Sequence, residues 1–491
     1  MDSVSQFIHQ EQGKGYLECR MDSLVADSTQ TVAYMHQGQR YSFEFAEKEW
    51  KGSYSLYAHA KERIAPYENN GYPFAVLSMF PEWLNDSTFR VNERIESGPY
   101  ITFDSLEIVA DKKFSRLYFE QFLRIREGKP YDESSFRAIQ DQLQQLRFVS
   151  PIQPAQVLFE EKKARVFLYL KDRPANTFDG IVGFQPNATT GRIVFTGDVT
   201  LSLENALRRG EKFDLRWRRL QEQTQDLIIG ASLPYLLQTR LGVWGDLEIY
   251  RRDSTFTQTR LNGAVGYLWG PDRFVRGFAE SWSSNDLGSN TPSVNDVRIN
   301  RYGISGRYFR FDNNLLPMAG YSADLTLSAG EKRYQSDEQE GIEQNTDQFA
   351  AEWKLQQWIP FKNRLSFGVR WIGGMKLDDA LQLNESYRIG GLNTLRGFDE
   401  ESIFATGYSV VTGELKYRLD QSSALFIFFD QGWYERNLDD YLRDTPFGFG
   451  LGVILGTRNG GFRFVYGLGE EQNNPILIRN GKLHFGFINR F

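Results

Sequence analysis

Leu241-Gly-Val-Trp-Gly-Asp-Leu-Glu-Ile249 alternates side chains that avoid water with side chains that need it. Read as a strand, it carries aliphatic residues on one face, while Asp246 and Glu248 lie on the other. An apolar face and a charged face on one strand require apolar solvent on one side and water on the other. The same period of two recurs over 365–371 and 425–430. The pattern predicts strands of a transmembrane β-barrel.

Residues 178–491 contain many such segments and no convincing helical period. Short turns alternate with longer polar connections, such as 331–347, 375–407 and 435–445, which is the asymmetry of bacterial outer-membrane barrels. Because an unpaired strand edge is not tolerated in lipid, the sheet must close, and an even strand number returns both ends to the same side. A large soluble all-β protein is the alternative, but it would need polar outer faces. We expect sixteen strands: 179–186, 192–204, 211–220, 225–235, 241–251, 258–269, 273–283, 297–310, 318–330, 348–358, 363–374, 408–419, 424–434, 446–456, 461–469 and 482–491.

Composition agrees with this prediction and excludes several classes of function. The 491 residues include 44 glycines and 15% aromatic residues, and the mean hydropathy of −0.48 is what an alternating chain averages to. The net charge of −6 without a basic block argues against a nucleic-acid partner. The lone Cys19 and four separated histidines form no metal-binding pattern. No catalytic or phosphate-binding motif occurs, so we expect no enzyme activity, no metal and no cofactor.

The chain before residue 178 follows a different pattern. Residues 100–109 alternate as a strand, 114–125 have a helical period, and a second helix starts near Asp132 and reaches Leu146. Two more strands follow at 155–159 and 165–170. This order predicts a small α+β domain.

Parts of this pattern recur upstream, which indicates a repeat. Gly15-Tyr-Leu is followed at an offset of 56 residues by Gly71-Tyr-Pro, and Gly38 is followed at an offset of 60 by Gly98. Unrelated α+β segments with chance glycines are the alternative. We expect a partial repeat lacking its opening strand and helix, two further repeats and the barrel: 1–40, 41–99, 100–177 and 178–491.

The repeats resemble POTRA domains, the periplasmic modules of the BamA/TamA family of outer-membrane assembly proteins. The connection that contains Ile389-Gly-Gly-Leu-Asn-Thr-Leu-Arg-Gly-Phe398 is similar to the inward-folded loop of that family, with Leu395 where valine is usual. Later motifs match in order: Gly413–Leu419, Phe428–Gly432, Phe447–Gly452 and His484–Phe491. The resemblance covers essentially the whole chain and implies POTRA repeats followed by a sixteen-stranded antiparallel barrel.

The loop motif and its partners form the first candidate site, and its tip is Leu395-Arg396-Gly397-Phe398. By alternation, Glu414 and Asp430 both face the lumen. Arg396 suits either carboxylate, because its planar fork binds carboxylates bidentately and stays charged; the resemblance favours Asp430. The pair either braces the barrel or sets the loop for handling substrate.

The second candidate site is the seam where the first barrel strand meets the last one, which ends at Phe491. Gly180 and Gly183 weaken the first strand, so the seam is expected to open sideways; ordinary barrel glycines are the alternative. In the last strand, Phe485, Phe487 and Phe491 share a face and resemble a C-terminal signal for the protein's own insertion.

The resemblance implies that the protein inserts, assembles or translocates other proteins at the bacterial outer membrane, with its repeats in the periplasm. The expected partners are the bilayer and unfolded outer-membrane or secreted client proteins. Three repeats favour the TamA-like branch, which implies a TamB-like periplasmic partner. A two-partner-secretion export pore and a passive outer-membrane channel are the alternatives. We also expect a longer precursor that carries an export signal.

Overall fold

The computed structural model describes residues 2–26, 31–45, 56–186, 193–219, 224–253, 255–270, 272–288, 294–313, 316–335, 343–438, 441–457, 460–471, 476, 479 and 481–489. The chain folds as two units. One comprises residues up to 111 together with 123–144 and 151–171, and the other comprises 112–122, 145–150 and all residues from 172 onward.

Short helices and strands alternate in the N-terminal part of the chain, as the sequence predicts. None of the helices in the described ranges has the length and apolar content that crossing a membrane requires. The bounds are α1 (Asp2–Gly13), β1 (Arg20–Ala26), β2 (Thr31–His36), β3 (Ser42–Phe45), α2 (Leu56–Glu68), β4 (Val76–Asn85), β5 (Thr88–Glu96), β6 (Thr102–Ala110), α3 (Arg116–Leu123), α4 (Glu133–Arg137), α5 (Ile139–Gln145), β7 (Val149–Pro151), β8 (Gln156–Glu160) and β9 (Lys163–Asp172).

The sheet order repeats along this part of the chain. Strand β3 pairs in parallel with β5, which pairs antiparallel with β4. Further on, β6 pairs in parallel with β9, which pairs antiparallel with β8. In both sheets the strand that precedes the helices lies beside the last strand of its repeat. The N-terminal part therefore contains the same α+β topology at least twice.

Local backbone geometry repeats as well. Gly15 and Gly71 both have a left-handed φ, of 103° and 95°, which glycine adopts without the steric penalty that a Cβ brings. The amide of Tyr41 donates to the carbonyl of Gly15 (2.8 Å), and the amide of Ile101 donates to that of Gly71 (2.7 Å). In the first repeat, α1 precedes the β1–β2 hairpin as α2 precedes the β4–β5 hairpin, and the absence of an opening strand and opening helix from this repeat stays a prediction.

The long helix expected up to Leu146 is divided in two. Asp132 caps α4 by accepting from the amide of Ser135 (3.1 Å), and the chain leaves the first helix at Ala138 before α5 begins. Ile139 and Leu143 are buried as the periodicity predicts. The short strand β7 that follows was not expected, since three residues are too few to show a period of two.

The C-terminal part consists of long antiparallel strands, and all sixteen predicted strands are confirmed. The bounds are β10 (Thr177–Pro186), β11 (Ile193–Glu204), β12 (Lys212–Arg219), β13 (Gln225–Leu236), β14 (Leu241–Arg252), β15 (Phe256–Gly270), β16 (Arg273–Asp286), β17 (Val297–Phe311), β18 (Gly320–Gln335), β19 (Glu343–Lys362), β20 (Leu365–Leu377), β21 (Tyr387–Ile389), β22 (Ile403–Ala405), β23 (Gly407–Arg418), β24 (Ala424–Asn437), β25 (Tyr441–Asp444), β26 (Phe447–Thr457), β27 (Gly460–Glu470) and β28 (Lys482–Asn489).

The sheet runs in chain order from β10 to β28, without the loop strands β21 and β22. We call each complete crossing of the barrel wall a stave. The sheet contains seventeen strands because one stave is interrupted and consists of β25 and β26. Tyr434 lies opposite Asp444 in β25, and Gln431 lies opposite Phe447 in β26, so both segments keep one register against β24. Pro446 lies at the break and has no N–H to donate. The staves therefore number sixteen, and the expected loop 435–445 is largely strand.

The two faces of the strands differ as alternation predicts. In β24, Leu425, Ile427 and Phe429 are exposed on the outer face. The residues between them point inward and are buried, and they include Phe428 and Asp430. An outer wall of large apolar side chains fits a hydrocarbon solvent.

The first and last staves differ from the others. Cα atoms of β10 and β28 come within 8 Å of each other, yet among the described residues no hydrogen-bonded ladder joins the two strands. We expected these two strands to pair and close the sheet. In the described residues they do not pair. Phe491 lies outside the described residues, and of Phe487 only the backbone is described.

Candidate functional site

The candidate site is built on the long connection between β20 and β23. Strands β21 and β22 pair antiparallel, with Ile389 opposite Ile403, and form the stalk of this loop. Residues 390–402 form its tip. The glycines that open the tip, Gly390 and Gly391, have φ values of 113° and 95°, which turn the chain sharply away from the stalk.

Arg396 lies at the tip and is 1% exposed. Its Nε and Nη2 donate to the two carboxylate oxygens of Asp430 at 2.8 and 2.6 Å, a bidentate contact. Its Nη1 donates to Glu414 Oε2 at 2.9 Å. The sequence left the partner open between these two carboxylates, and the guanidinium contacts both.

Further contacts complete the surroundings of this guanidinium. The backbone amide of Arg396 also donates to Asp430 (3.1 Å), and the hydroxyl of Thr412 donates to the same carboxylate (2.7 Å). The guanidinium carbon lies 3.6 Å from the centre of the Phe428 ring, which is the distance of a cation–π contact. Because the site excludes water, each of these contacts replaces hydration that the charges have lost.

The neighbours of Arg396 in the motif are anchored by apolar packing. Leu395 is fully buried and Phe398 is 8% exposed. They pack with residues of the stalk and the barrel wall, among them Ile372, Ile403 and Tyr434. The apolar position that holds valine in the family resemblance therefore has a packing role that leucine also serves.

Gly397 lets the tip lie flat on the barrel wall. It has a φ of 94°, and a Cβ there would come within 2.7 Å of the amide nitrogen of Gly469. The facing wall also lacks side chains at two positions. A Cβ at Gly448 would overlap the carbonyl of Arg396, and a Cβ at Gly467 would come within 2.9 Å of the amide of Gly397. Glycines on both sides thus allow two backbones to touch.

Arg370 of β20 fastens the tip from another strand. Its Nη1 donates to the carbonyl of Asn393 (2.9 Å), and its Nη2 donates to the carbonyl of Thr394 (3.1 Å) and to the Thr412 hydroxyl (3.1 Å). Through Thr412, Arg370 is connected to Asp430 and so to Arg396.

The base of the loop has a separate ionic anchor. Lys332 of β18 is fully buried and lies 3.1 Å from Asp378 and 2.5 Å from Glu385. Gln348 of β19 donates to the same two carboxylates at 3.1 and 2.7 Å. Its carbonyl oxygen accepts from Arg301 of β17 (2.7 Å). The loop is therefore attached to the wall at its base as well as at its tip.

The seam residues predicted from the sequence lie apart from this site. Gly180 and Gly183 lie opposite Val199 and Thr196 of β11. Phe485 is 50% exposed on the outer face and its ring centre lies 5.0 Å from that of Phe464. The structure therefore brings together the loop motif, Glu414 and Asp430, and it places the seam glycines and Phe485 on the wall.

Among the described residues, no three His, Cys, Asp or Glu side chains cluster in a way that could hold a metal ion. The ionic groups around the loop contact each other, so their chemistry is that of positioning and charge neutralisation.

Comparison with known proteins identifies the barrel. The pattern of the Omp85 superfamily domain matches residues 205–491. The chain belongs to the Omp85 superfamily. Membership places this Omp85 protein among the outer-membrane β-barrels that insert or secrete proteins. No curated protein matches the chain significantly.

Solved structures share the fold of this Omp85 protein at low sequence identity. CdiB from Acinetobacter baumannii is 15% identical with a TM-score of 0.57, over 90% of this chain and 82% of that one. CdiB from Escherichia coli is 14% identical with a TM-score of 0.55, over 100% and 96%. BamA from Haemophilus ducreyi lacking POTRA domains 1-3 is 13% identical with a TM-score of 0.51, over 92% and 99%. These likenesses support the fold.

Sequence reasoning missed several residues of the Omp85 loop site. Gly448, Gly450 and Gly452 are spaced by two in β26, and Gly467 and Gly469 are spaced by two in β27, which places glycines on one face of each strand and indicates a strip of wall without side chains. That signal was available in the sequence. Lys332 had no such signal, because it stands in a charged run, Glu331–Arg333, that is typical of an exposed strand end.

Proposed function

We propose that this Omp85 protein inserts or exports client proteins at the outer membrane through sideways opening of the seam between β10 and β28. The observation that carries the proposal is the seam itself. In the described sheet, every other pair of neighbouring staves is joined by a ladder of backbone hydrogen bonds. Strands β10 and β28 lie side by side without such a ladder. Strand edges that are near each other but unpaired can accept the backbone of a third strand.

The loop supports this proposal by bracing one side of the seam. Arg396 binds carboxylates on β23 and β24, and Gly397 rests on β27. Strand β27 pairs with β28, and β23 and β24 lie on the same side of the seam, so the loop holds the wall on that side in a fixed shape. Opening would then require β10 and its neighbours to move, while the other edge stays in place as a template.

The N-terminal repeats fit a periplasmic arm that receives unfolded clients. Strand β4 lies at the edge of its sheet, and Val76, Phe80 and Trp83 are exposed on it. An exposed edge of this kind pairs with extended chains by β-augmentation. Three repeats support the TamA-like role, with a TamB-like periplasmic protein as partner.

A two-partner-secretion export pore is the second candidate. The likeness of the fold to two CdiB structures favours it. A plug helix at the N-terminus would be expected in such a pore. The helix that the structure has there, α1, is instead bound to its own repeat, since Gln37 donates to Glu11 at 3.0 Å.

The seam is tested by locking it with a disulfide. Cysteine pairs are scanned between Gly180–Phe184 and Phe485–Asn489, with Cys19→Ser as background, and pairs with Cα atoms about 4.4–6.8 Å apart should cross-link. We expect the locked protein to lose its cellular activity and to regain it on reduction. The measurement is proteomics of outer membranes and secreted proteins after depletion and complementation. Many clients that recover together would indicate an assembly factor, and a single one an export pore.

The control is a disulfide between staves that have a ladder. Leu451 and Tyr466 lie directly opposite each other in β26 and β27, so cysteines at both positions should cross-link without effect on activity. A locked seam that retains full activity would refute the proposal.

A further inference from the structure

Three consecutive acidic residues close the loop tip, and two of them reach different sides of the seam. Asp399 lies 2.8 Å from Lys482 at the start of β28. Glu401 lies 2.8 Å from Nη2 of Arg218 near the end of β12. The third residue, Glu400, is committed within the loop, because its carboxylate accepts from the amide of Leu392 (3.1 Å).

The two ion pairs are not equivalent. Arg396 and Gly397 already fix the tip to strands on the β28 side, so the pair between Asp399 and Lys482 adds to an existing attachment. Strand β12 lies on the other side of the seam, two strands from β10. The pair between Glu401 and Arg218 therefore joins the fixed loop to the staves that would have to move.

Glu401 is held in this position against a local backbone cost. Its φ is 57°, a left-handed value that is strained for a residue with a Cβ. Arg388 of the stalk also approaches its carboxylate, at 3.5 Å, so that carboxylate lies between two guanidinium groups. Such strain persists where surrounding contacts require it, and here these contacts are the two ion pairs.

Arg218 has a second partner available on its own hairpin. Asp226 lies directly opposite it in β13, with a carboxylate oxygen 3.8 Å from Nη2. The other oxygen of Asp226 is buried and has no hydrogen-bond partner in the described part of the chain. If Arg218 left Glu401, it could bind Asp226 fully, so release would not strand a buried charge.

We propose that Glu401 and Arg218 form a clasp that holds the β10–β12 side of the seam closed, and that Arg218 transfers to Asp226 when the seam opens. The clasp rests on the proposed function, because it regulates the same seam. Its side chains are partly exposed, at 32% and 16%, so dissolved salt weakens the pair. The clasp is therefore weak enough for a client strand to release.

The test measures the width of the seam in the full-length protein reconstituted in vesicles. Spin labels are attached to cysteines at Phe213 and Leu483, which are exposed on β12 and β28, in the Cys19→Ser background. Glu401→Gln should raise the population with the longer label distance about two- to fivefold, as expected for the loss of a partly exposed ion pair. High salt should widen the unsubstituted seam and leave Glu401→Gln unchanged.

Two further variants test the direction in which each carboxylate shifts the seam. Asp226→Asn removes the alternative partner, so it should shift the distances toward the closed seam, opposite to Glu401→Gln. Glu401→Asp keeps the carboxylate and should resemble the unsubstituted protein. The matched control is Glu331→Gln, since Glu331 pairs with Arg333 of its own strand (3.4 Å) and not across the seam.

The outcomes separate the clasp from the gate. Unchanged distances in Glu401→Gln, or widening in Asp226→Asn, would overturn the clasp. If disulfide locking abolishes cellular activity in that case, the proposed function stands without it. If locking leaves activity intact, the proposed function fails even where Glu401→Gln widens the seam. Labels on the distant staves at Leu261 and Leu325 should keep their distance in each folded variant.

Discussion

The guanidinium of Arg396 depends on complete pairing, because it and its two carboxylates lie where water is excluded. Removing one member of a buried ion pair leaves an uncompensated charge and costs about 3–5 kcal/mol. We therefore expect Arg396→Ala to lower the free energy of unfolding of the barrel by an amount of this order. Denaturant unfolding in lipid vesicles measures it.

Arg396→Lys serves as the control for charge. A lysine keeps the positive charge but lacks the planar fork that binds Asp430 bidentately, so its loss of stability should be intermediate. Equal stability of Arg396→Ala and the unsubstituted protein would show that the contacts do not brace the barrel. If barrel stability falls and cellular activity is unaffected, the loop has no essential role in handling clients.

Gly448 offers a test of how closely the loop tip must approach the wall. A Cβ at this position would overlap the carbonyl of Arg396, whereas a Cβ at Gly263 would meet nothing within 4 Å. Gly448→Ala should therefore displace the tip and increase protease cleavage within 390–402, while Gly263→Ala should not. Equal cleavage of both variants would contradict the close packing of the tip.

Some residue contacts were predictable and others were not. Alternation alone placed Glu414 and Asp430 in the lumen, and the loop motif supplied Arg396. The choice between the two carboxylates was not predictable, because both lie within reach and the geometry uses both. Lys332 was unpredictable for another reason: its partners Asp378 and Glu385 lie in a loop whose path into the lumen no local pattern encodes.

At the scale of elements, the period of two found each stave but misjudged some ends. Strand β19 runs over Glu343–Lys362, whereas alternation predicted only 348–358. The residues added at its start, 343–347, are polar on both faces, since a strand that extends beyond the bilayer has water on both sides; those added at its end, 359–362, include Pro360, which is typical of a turn. The segment 441–444 is too short to show a period of two by itself, and the interruption at Pro446 hid its continuity with β26.

The short helix α4 depends on its cap. Burial alone would raise the pKa of Asp132, but hydrogen bonds from Ser134 and Ser135 outweigh it and lower that pKa below its ordinary value. Asp132→Ala should cost about 1 kcal/mol, which corresponds to roughly fivefold faster hydrogen exchange of the α4 amides if they exchange by local opening. Mass spectrometry measures this exchange, and Asp132→Asn should exchange at nearly the original rate.

The same cap should respond to pH with a defined sign. Because the folded-state pKa of Asp132 is depressed, its stabilising effect is present above the unfolded value of about 3.9 and is lost as the pH falls through the folded value. Asp132→Ala should lack this dependence.

At the scale of the whole molecule, the outer apolar belt determines where the protein resides. Ile427 lies opposite Leu451, midway along the outward-facing run from Phe447 to Leu455. An arginine at the middle of the bilayer costs about 2–4 kcal/mol, and near an interface about 0–1 kcal/mol. Ile427→Arg should therefore reduce the folded fraction in vesicles strongly, and Tyr441→Arg, beyond this run, should reduce it little.

The overall architecture could be predicted from the sequence because the N-terminal repeats and the barrel each have their own sequence period. The repeats were found from Gly15, Gly71, Gly38 and Gly98, whose left-handed φ values show why those positions are glycine. The seam was harder to predict, because a missing ladder depends on how sixteen staves accumulate twist and tilt. No single strand carries that information.

The anchors of the loop also constrain the order in which the protein is made. The tip contacts Asp430 and Gly448 through Arg396 and contacts Gly467 through Gly397, and these three residues follow Arg396 in the chain by 34, 52 and 71 residues. The tip therefore cannot make these contacts until the C-terminal hairpins have formed. We therefore expect the tip of a newly synthesised chain to reach these contacts only as a late step of biogenesis, after the last strands have assembled, while Lys332 and Arg370 of earlier strands already hold the loop.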